Sequence, residues 1–347
     1  MDGSDTGGIR YLTQEPPAHG AALEVAEGVL WLRLPLPMAL NHVNVFALRE
    51  DDGWTIVDTG VDGARERKTW AEIMAGPLSG LPVVRVIATH HHPDHIGLAG
   101  WFQEAHGAEL WAPRTAWLMA RMLTLDVQEK PDQRSLDFLR AAGAPTEVVA
   151  KRAAERPFNF ADIVSPLPLG YRRIREGQEV TFGGRRWMVV MGEGHAPEHA
   201  TFWSLDDDLV LGGDQLLPSI SPNLGVYATE PDADPVGDWL ESCARLAPLA
   251  RPGHLVLPGH KLPYTGLPLR LEQLAENHHG ALARLWDHLD EPKVAAACFA
   301  PLFKRPIDDA LFGLALVETV AHLNHLLAKG QVTRERGSDG AWLWRRV

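Results

Sequence analysis

The chain has 347 residues, 45% of them hydrophobic and 22% charged, and a formal net charge of −12. That balance is ordinary for a globular chain long enough for two domains, and its acidity argues against broad electrostatic attraction to nucleic acid or an anionic membrane. Two cysteines, Cys243 and Cys298, are too few for a disulfide framework.

No run of about 18 apolar residues offers a membrane span, and Met1-Asp2-Gly3-Ser4-Asp5 lacks the basic and apolar regions of a secretion signal. The expected location is cytoplasmic. Residues 1–22, rich in Gly, Pro and small polar side chains, read as a mobile arm. Strands are expected at 28–34 and 43–48, followed by a hairpin through Glu50-Asp51-Asp52-Gly53 into 54–57, which ends at Asp58-Thr59-Gly60. Helical spacing over 62–76 leads to Val83-Val84-Arg85-Val86-Ile87-Ala88, a β-branched run that reads as a buried strand.

That strand delivers Thr89-His90-His91-His92-Pro93-Asp94-His95. Four imidazoles and a carboxylate so close together are strongly polar groups that call for partners, and their nitrogen and oxygen donors suit a borderline divalent ion such as zinc. A short helix from Gly97 and a strand at 108–111 follow. Residues 113–170 carry three helical segments and no strand alternation, which reads as a helical insertion.

Strands resume at 179–182 and 186–190, leading into Gly194-His195-Ala196-Pro197-Glu198-His199. Strands at 201–204 and 209–211 flank an acidic turn, and the second ends at Gly212-Gly213-Asp214. A helix is expected over 235–246, and a short strand at 255–257 delivers Pro258-Gly259-His260. Past this point helices dominate, at 267–289 and 311–329. A hairpin around residues 337–340 closes the chain, and the group reads as a small winged-helix-like unit. His278 and His279 read as a solvated helix end, His322 and His325 as packing groups, and His91 as structural. His42, in the loop before a strand, could face the site, although the reading that places it outside is favoured. The expected organisation is therefore a 1–22 arm, a 23–265 catalytic domain containing the insertion, and a 266–347 C-terminal domain.

Four loops after four strands thus present metal-compatible side chains. His90, His92 and His195 can hold one ion, and Asp94, His95 and His260 a second, with Asp214 bridging. Two ions about 3.5–4 Å apart can share a hydroxide and supply a nucleophile at neutral pH without a Ser or Cys. Asp94 is the candidate to orient it.

The signature His90-x-His92-x-Asp94-His95, followed in order by His195, Asp214 and His260, resembles the metallo-β-lactamase superfamily across roughly residues 25–265. The resemblance implies an α/β fold, a four-layer αββα sandwich with a dinuclear site at one edge. It also implies supporting roles for Asp58 at its strand end and for His199, as in the glyoxalase II-like branch. Glutathione binding in that branch uses basic residues where this chain has Gln215-Leu216-Leu217-Pro218-Ser219-Ile220, so glutathione is not the expected substrate. The C-terminal Glu318-Thr319-Val320-Ala321-His322-Leu323 is similar to the tail of a hydrolase branch that includes endoribonucleases and thioesterases.

The leading expectation is a metal-dependent hydrolase of an acyl thioester or related ester, with a small-molecule substrate. The cofactors would be two divalent ions, zinc by ligand type, with iron or manganese compatible. The alternatives are a nuclease acting on RNA and a non-catalytic metal-bound sensor. From Lys293 onward eight Lys/Arg face five Asp/Glu, too small an excess for a strongly basic nucleic-acid face. The tail suits a homodimer contact or a lid equally well.

Overall fold

The computed structural model describes residues 8–38 and 40–347. Of the arm expected over 1–22, residues 1–7 lie outside the described residues; further along it, Arg10 and Tyr11 pair as an edge strand with Thr265 and Tyr264. No described helix is long and apolar enough to cross a membrane.

The chain divides into two compact units. One comprises the chain to Val127, Asn159–Pro222 and Leu246–Leu271; the other comprises Gln128–Phe158, Asn223–Arg245 and Glu272–Val347. The helices expected within 113–170 are shared out accordingly: Arg114–Leu125 lies in the first unit, Gln133–Ala141 and Thr146–Ala154 in the second.

The first unit is built on two seven-stranded sheets, the mixed α/β arrangement that the sequence implies. One sheet runs Ala22–Ala26, Val29–Pro35, His42–Arg49, Trp54–Val57, Val83–Ile87, Glu109–Pro113 and Arg172–Ile174, in chain order. Its last four strands are parallel, and strands covered on both faces are largely apolar runs, as in Val83–Ile87, which is β-branched at every position but Arg85. The other sheet runs Arg10–Tyr11, Tyr264–Thr265, Leu255–Pro258, Leu209–Gly213, His199–Ser204, Arg185–Gly192 and Glu179–Phe182.

Trp31, Phe46, Leu48, Val57 and Trp111 of the first sheet and Phe182, Trp187, Val189, Phe202 and Leu211 of the second share one buried core. The opposite face of the first sheet packs on helices through Trp70, Ile73, Phe102 and Ala120. Burying a side chain of this size is worth about 1.5–3 kcal/mol, so these two apolar layers hold the strand ends in fixed register. The short strand Arg172–Ile174 carries too little apolar pattern to be seen in the sequence.

The second unit contains the helix Phe312–Ala328 and the hairpin Val332–Arg336 with Trp342–Arg346. Its core includes Leu316, Val320, Leu323 and Trp344. His278 is not the solvated helix end expected. It lies mid-helix in Leu267–His288, is 1% exposed, and its Nδ1 meets His322 Nε2 at 3.1 Å. The reason is periodicity: Leu271, Leu274, His278 and Leu285 fall on one buried face. His279 faces outward as expected. His322 and His325 are packed, and His325 pairs with Asp234 at 3.0 Å.

Candidate metal centre

Five strands of the first unit end at one place. Trp54–Val57 delivers Asp58, Val83–Ile87 delivers residues 89–95, Arg185–Gly192 leads to His195, Leu209–Gly213 delivers Asp214, and Leu255–Pro258 delivers His260. The carboxyl ends of strands are where open α/β sheets place their sites. The helix Pro93–Ile96 begins inside the His cluster, and this first turn lets Asp94 and His95 leave the chain in different directions.

The structure gathers the expected ligands as triads. The donor atoms of His90, His92 and His195 lie within 4.8 Å of one another, as do those of Asp94, His95 and His260, and those of His90, His95 and Asp214. In the first triad His92 Nδ1 lies 2.9 Å from His90 Nε2 and 3.0 Å from His195 Nε2. In the second, His260 Nε2 lies 3.3 Å from Asp94 Oδ2. Asp214 Oδ2 stands among both sets: 3.4 Å from His195 Nε2, 3.5 Å from His95 Nε2 and 3.3 Å from His260 Nε2.

The far side of three of the rings is fixed by a hydrogen bond, which sets the tautomer. His95 Nδ1 donates to Asp58 Oδ2 at 2.8 Å, and His260 Nδ1 donates to the His42 carbonyl at 2.8 Å. Thr89 Oγ1 donates to Asp58 Oδ2 at 3.0 Å, so it accepts from His90 Nδ1 at 2.9 Å. All three Nε2 atoms are therefore turned toward the centre. Asp58, with φ 65° at the strand end, is the hub of this support and also accepts from Thr89 N at 2.8 Å. Asp tolerates the left-handed region better than most residues. His199 does not join a triad; its Nε2 accepts from the Asp214 backbone N–H at 3.0 Å.

Two close approaches require glycine. A Cβ on Gly259 would stand 2.3 Å from Asp214 Oδ1, and one on Gly213 would stand 2.5 Å from His199 Cε1.

The electrostatics differ between the two sides. Burial, then the neighbouring imidazoles, holds His90 and His92 well below the usual histidine range, so both present neutral lone pairs. Burial also disfavours a charged His95 or His260, but Asp214 and Asp94 outweigh it. They hold His95 well above its usual range and His260 up to about 10. Burial works against an ionised Asp214 too, yet His260 and His95 hold it well below the carboxylate range. The second triad is thus a place built around positive charge.

The donor set fits divalent ions. His95 Nε2 and Asp214 Oδ1 are buried and have no hydrogen-bond partner, a costly state for polar groups that coordination would satisfy. Imidazole and carboxylate ligands in threes, with supported rings, are what zinc takes.

The sequence reading misses Thr89 and Asn44 and leaves His42 outside the site. Asn44 is 1% exposed within the apolar strand His42–Arg49. A buried amide inside such a run was the visible signal, since it needs partners. Glu198 is also missed: its carboxylate accepts from Thr115 N at 2.6 Å and fastens the His195 loop to the start of helix Arg114–Leu125.

A profile of the metallo-beta-lactamase superfamily matches residues 39–260, and one of the metallo-beta-lactamase-like C-terminal domain matches residues 282–347. The chain is similar to a solved beta-lactamase domain protein from Burkholderia ambifaria, with 36% identity, TM-score 0.88, and 98% of this chain and 97% of that one covered. A metallo-beta-lactamase family protein from Thermus thermophilus is 30% identical, with TM-score 0.77, 93% of this chain and 100% of that one covered. The probable metallo-hydrolase YqjP of Bacillus subtilis (strain 168) is 28% identical over 312 residues, which are 88% of this chain and 94% of that protein.

Proposed function

The chain belongs to the metallo-beta-lactamase superfamily and is a metallo-hydrolase of that superfamily; from that premise we propose that it uses two divalent ions, zinc by ligand type, to hydrolyse acyl thioesters or related esters. The observation that carries the dinuclear reading is Asp214, whose Oδ2 is within 3.5 Å of His195 on one side and of His95 and His260 on the other. In this reading His90, His92 and His195 would hold one ion and Asp94, His95 and His260 the other, with the Asp214 carboxylate available to either. Divalent ions bound there lower the pKa of water toward neutrality and offset negative charge developing on a carbonyl oxygen.

The chain's own residues supply position. Asp58 and His42 turn the imidazole lone pairs inward. Asp94, 19% exposed at its side chain where the flanking imidazoles are nearly enclosed, is the carboxylate that can reach water entering the centre and accept its proton. The thioester reading draws support from leaving-group chemistry, because a thiolate departs without prior protonation and the site offers carboxylates already engaged with imidazoles.

The test is thiol release by the zinc-loaded protein on a panel of acyl thioesters, with Asp94→Ala alongside. Release that requires Asp94 supports the reading. Silence across the panel from a protein holding its metal would overturn the substrate class, and phosphodiesters would be assayed next.

A further inference from the structure

His260 sits in a turn that the neighbouring sheet holds from outside. Pro258 ends a strand of one sheet, while His42 and Asn44 belong to a strand of the other. Five hydrogen bonds join them: Asn44 N to Gly259 O at 2.7 Å, Asn44 Nδ2 to Pro258 O at 2.8 Å and to Lys261 O at 2.9 Å, Lys261 N to His42 Nε2 at 3.0 Å, and His260 Nδ1 to His42 O at 2.8 Å.

The Asn44 amide spends both its N–H donors on the carbonyls that bracket His260. Its own Oδ1 is buried without a partner. An amide that leaves its acceptor unsatisfied in the interior carries a stability cost, so its donors must be what the fold retains. They hold a strained turn. Lys261 has φ 70°, a left-handed conformation that a non-glycine residue adopts only under strain. Left to itself the turn would relax, and His260 Nε2 would swing from its place 3.3 Å from both Asp94 and Asp214.

The other triad is braced from different elements, through Thr89 at His90 and through the Glu198 carboxylate in the His195 loop. We propose that Asn44 is a positioning residue for one ion only: through the turn 258–261 it sets the affinity of the site formed by Asp94, His95 and His260. This rests on the two-ion reading above. Displacing the turn changes the angle at which one ligand enters, and outer-shell losses of this kind lower metal affinity about 10–100-fold.

The test is zinc binding to the metal-stripped full-length chain, titrated against a chelator, together with the visible spectrum after loading with cobalt(II). Asn44→Ala should weaken one of two equivalents by about 10–100-fold and alter the cobalt bands of that equivalent, leaving the other unchanged. Lys261→Gly added to it should restore part of the lost affinity, because glycine adopts the turn without strain.

His260→Ala separates the two layers of inference. If it removes no equivalent, the ligand reading itself falls. If it removes one while Asn44→Ala keeps both at wild-type affinity and spectrum, the clamp is overturned alone. Equal weakening of both equivalents also overturns it. Should Asn44→Ala fold poorly, Asn44→Ser, which retains a single donor, is expected to give a partial and equally selective loss; a wild-type titration from it overturns the proposal.

Discussion

Asp58 Oδ2 lies 2.8 Å from His95 Nδ1 and takes a second hydrogen bond from Thr89 Oγ1, which in turn braces His90. One buried carboxylate therefore orients a ring in each of two triads. Asp58→Asn removes the charge and leaves an amide that cannot accept from all three of its donors. It should weaken metal binding at both positions by about 10–100-fold, measured by zinc titration, with secondary structure retained. Loss confined to one position would contradict the hub role.

Gly259 passes so close to Asp214 that a methyl group would displace the carboxylate. Gly259→Ala should therefore act like damage to Asp214, with lowered metal content and hydrolytic rate down by about tenfold or more, corresponding to about 1.4 kcal/mol of lost stabilisation. Metal analysis and turnover at full metal loading check it. A fully active Gly259→Ala would show that Asp214 has room to move.

Glu318 in the second unit gives a pH dependence. Burial pushes its carboxyl up to about 7 from an ordinary value of 4.5, against a hydrogen bond from Asn223 at 2.7 Å and the charge of Arg305. The folded state holds this proton more tightly than the unfolded chain, so its contribution is fully present below pH 4.5 and is lost as pH rises through 7. Glu318→Gln should flatten thermal stability over that window and be more stable than the native chain at pH 8 by about 1–3 kcal/mol. Parallel unfolding curves at pH 5 and pH 8 for the two proteins would contradict the assignment.

The Glu198 carboxylate ties the His195 loop to Thr115 N and lies 3.5 Å from Arg173. Its backbone is left-handed, with φ 53°. Glu198→Ala should cost about 0.5–2 kcal/mol through the lost helix cap and weaken zinc binding at the proposed site of His90, His92 and His195, measured by unfolding and zinc titration. An unchanged titration would confine Glu198 to the helix.

The candidate cluster is legible in the sequence because each of its members follows an apolar run that ends in a turn, and because His and Asp at tight spacing have few other uses. His90, His92, Asp94, His95, His195, Asp214 and His260 are brought together as read. Of what orients them, Asp58 is legible at its strand end, whereas Asn44 and His42 are not, since they act across more than 200 residues of sequence and only the packing of two sheets makes them neighbours. His278 misleads for a related reason. Adjacent histidines look like a polar surface, but the helix turns one of them into the core and the other into water.

Asp214 between the two triads is the claim on which the rest depends, and metal content tests it most directly. The native chain, stripped and reloaded with zinc, should hold two equivalents, and Asp214→Ala should fall to one or none with hydrolysis lost. Two equivalents retained by Asp214→Ala with full activity would contradict the shared carboxylate.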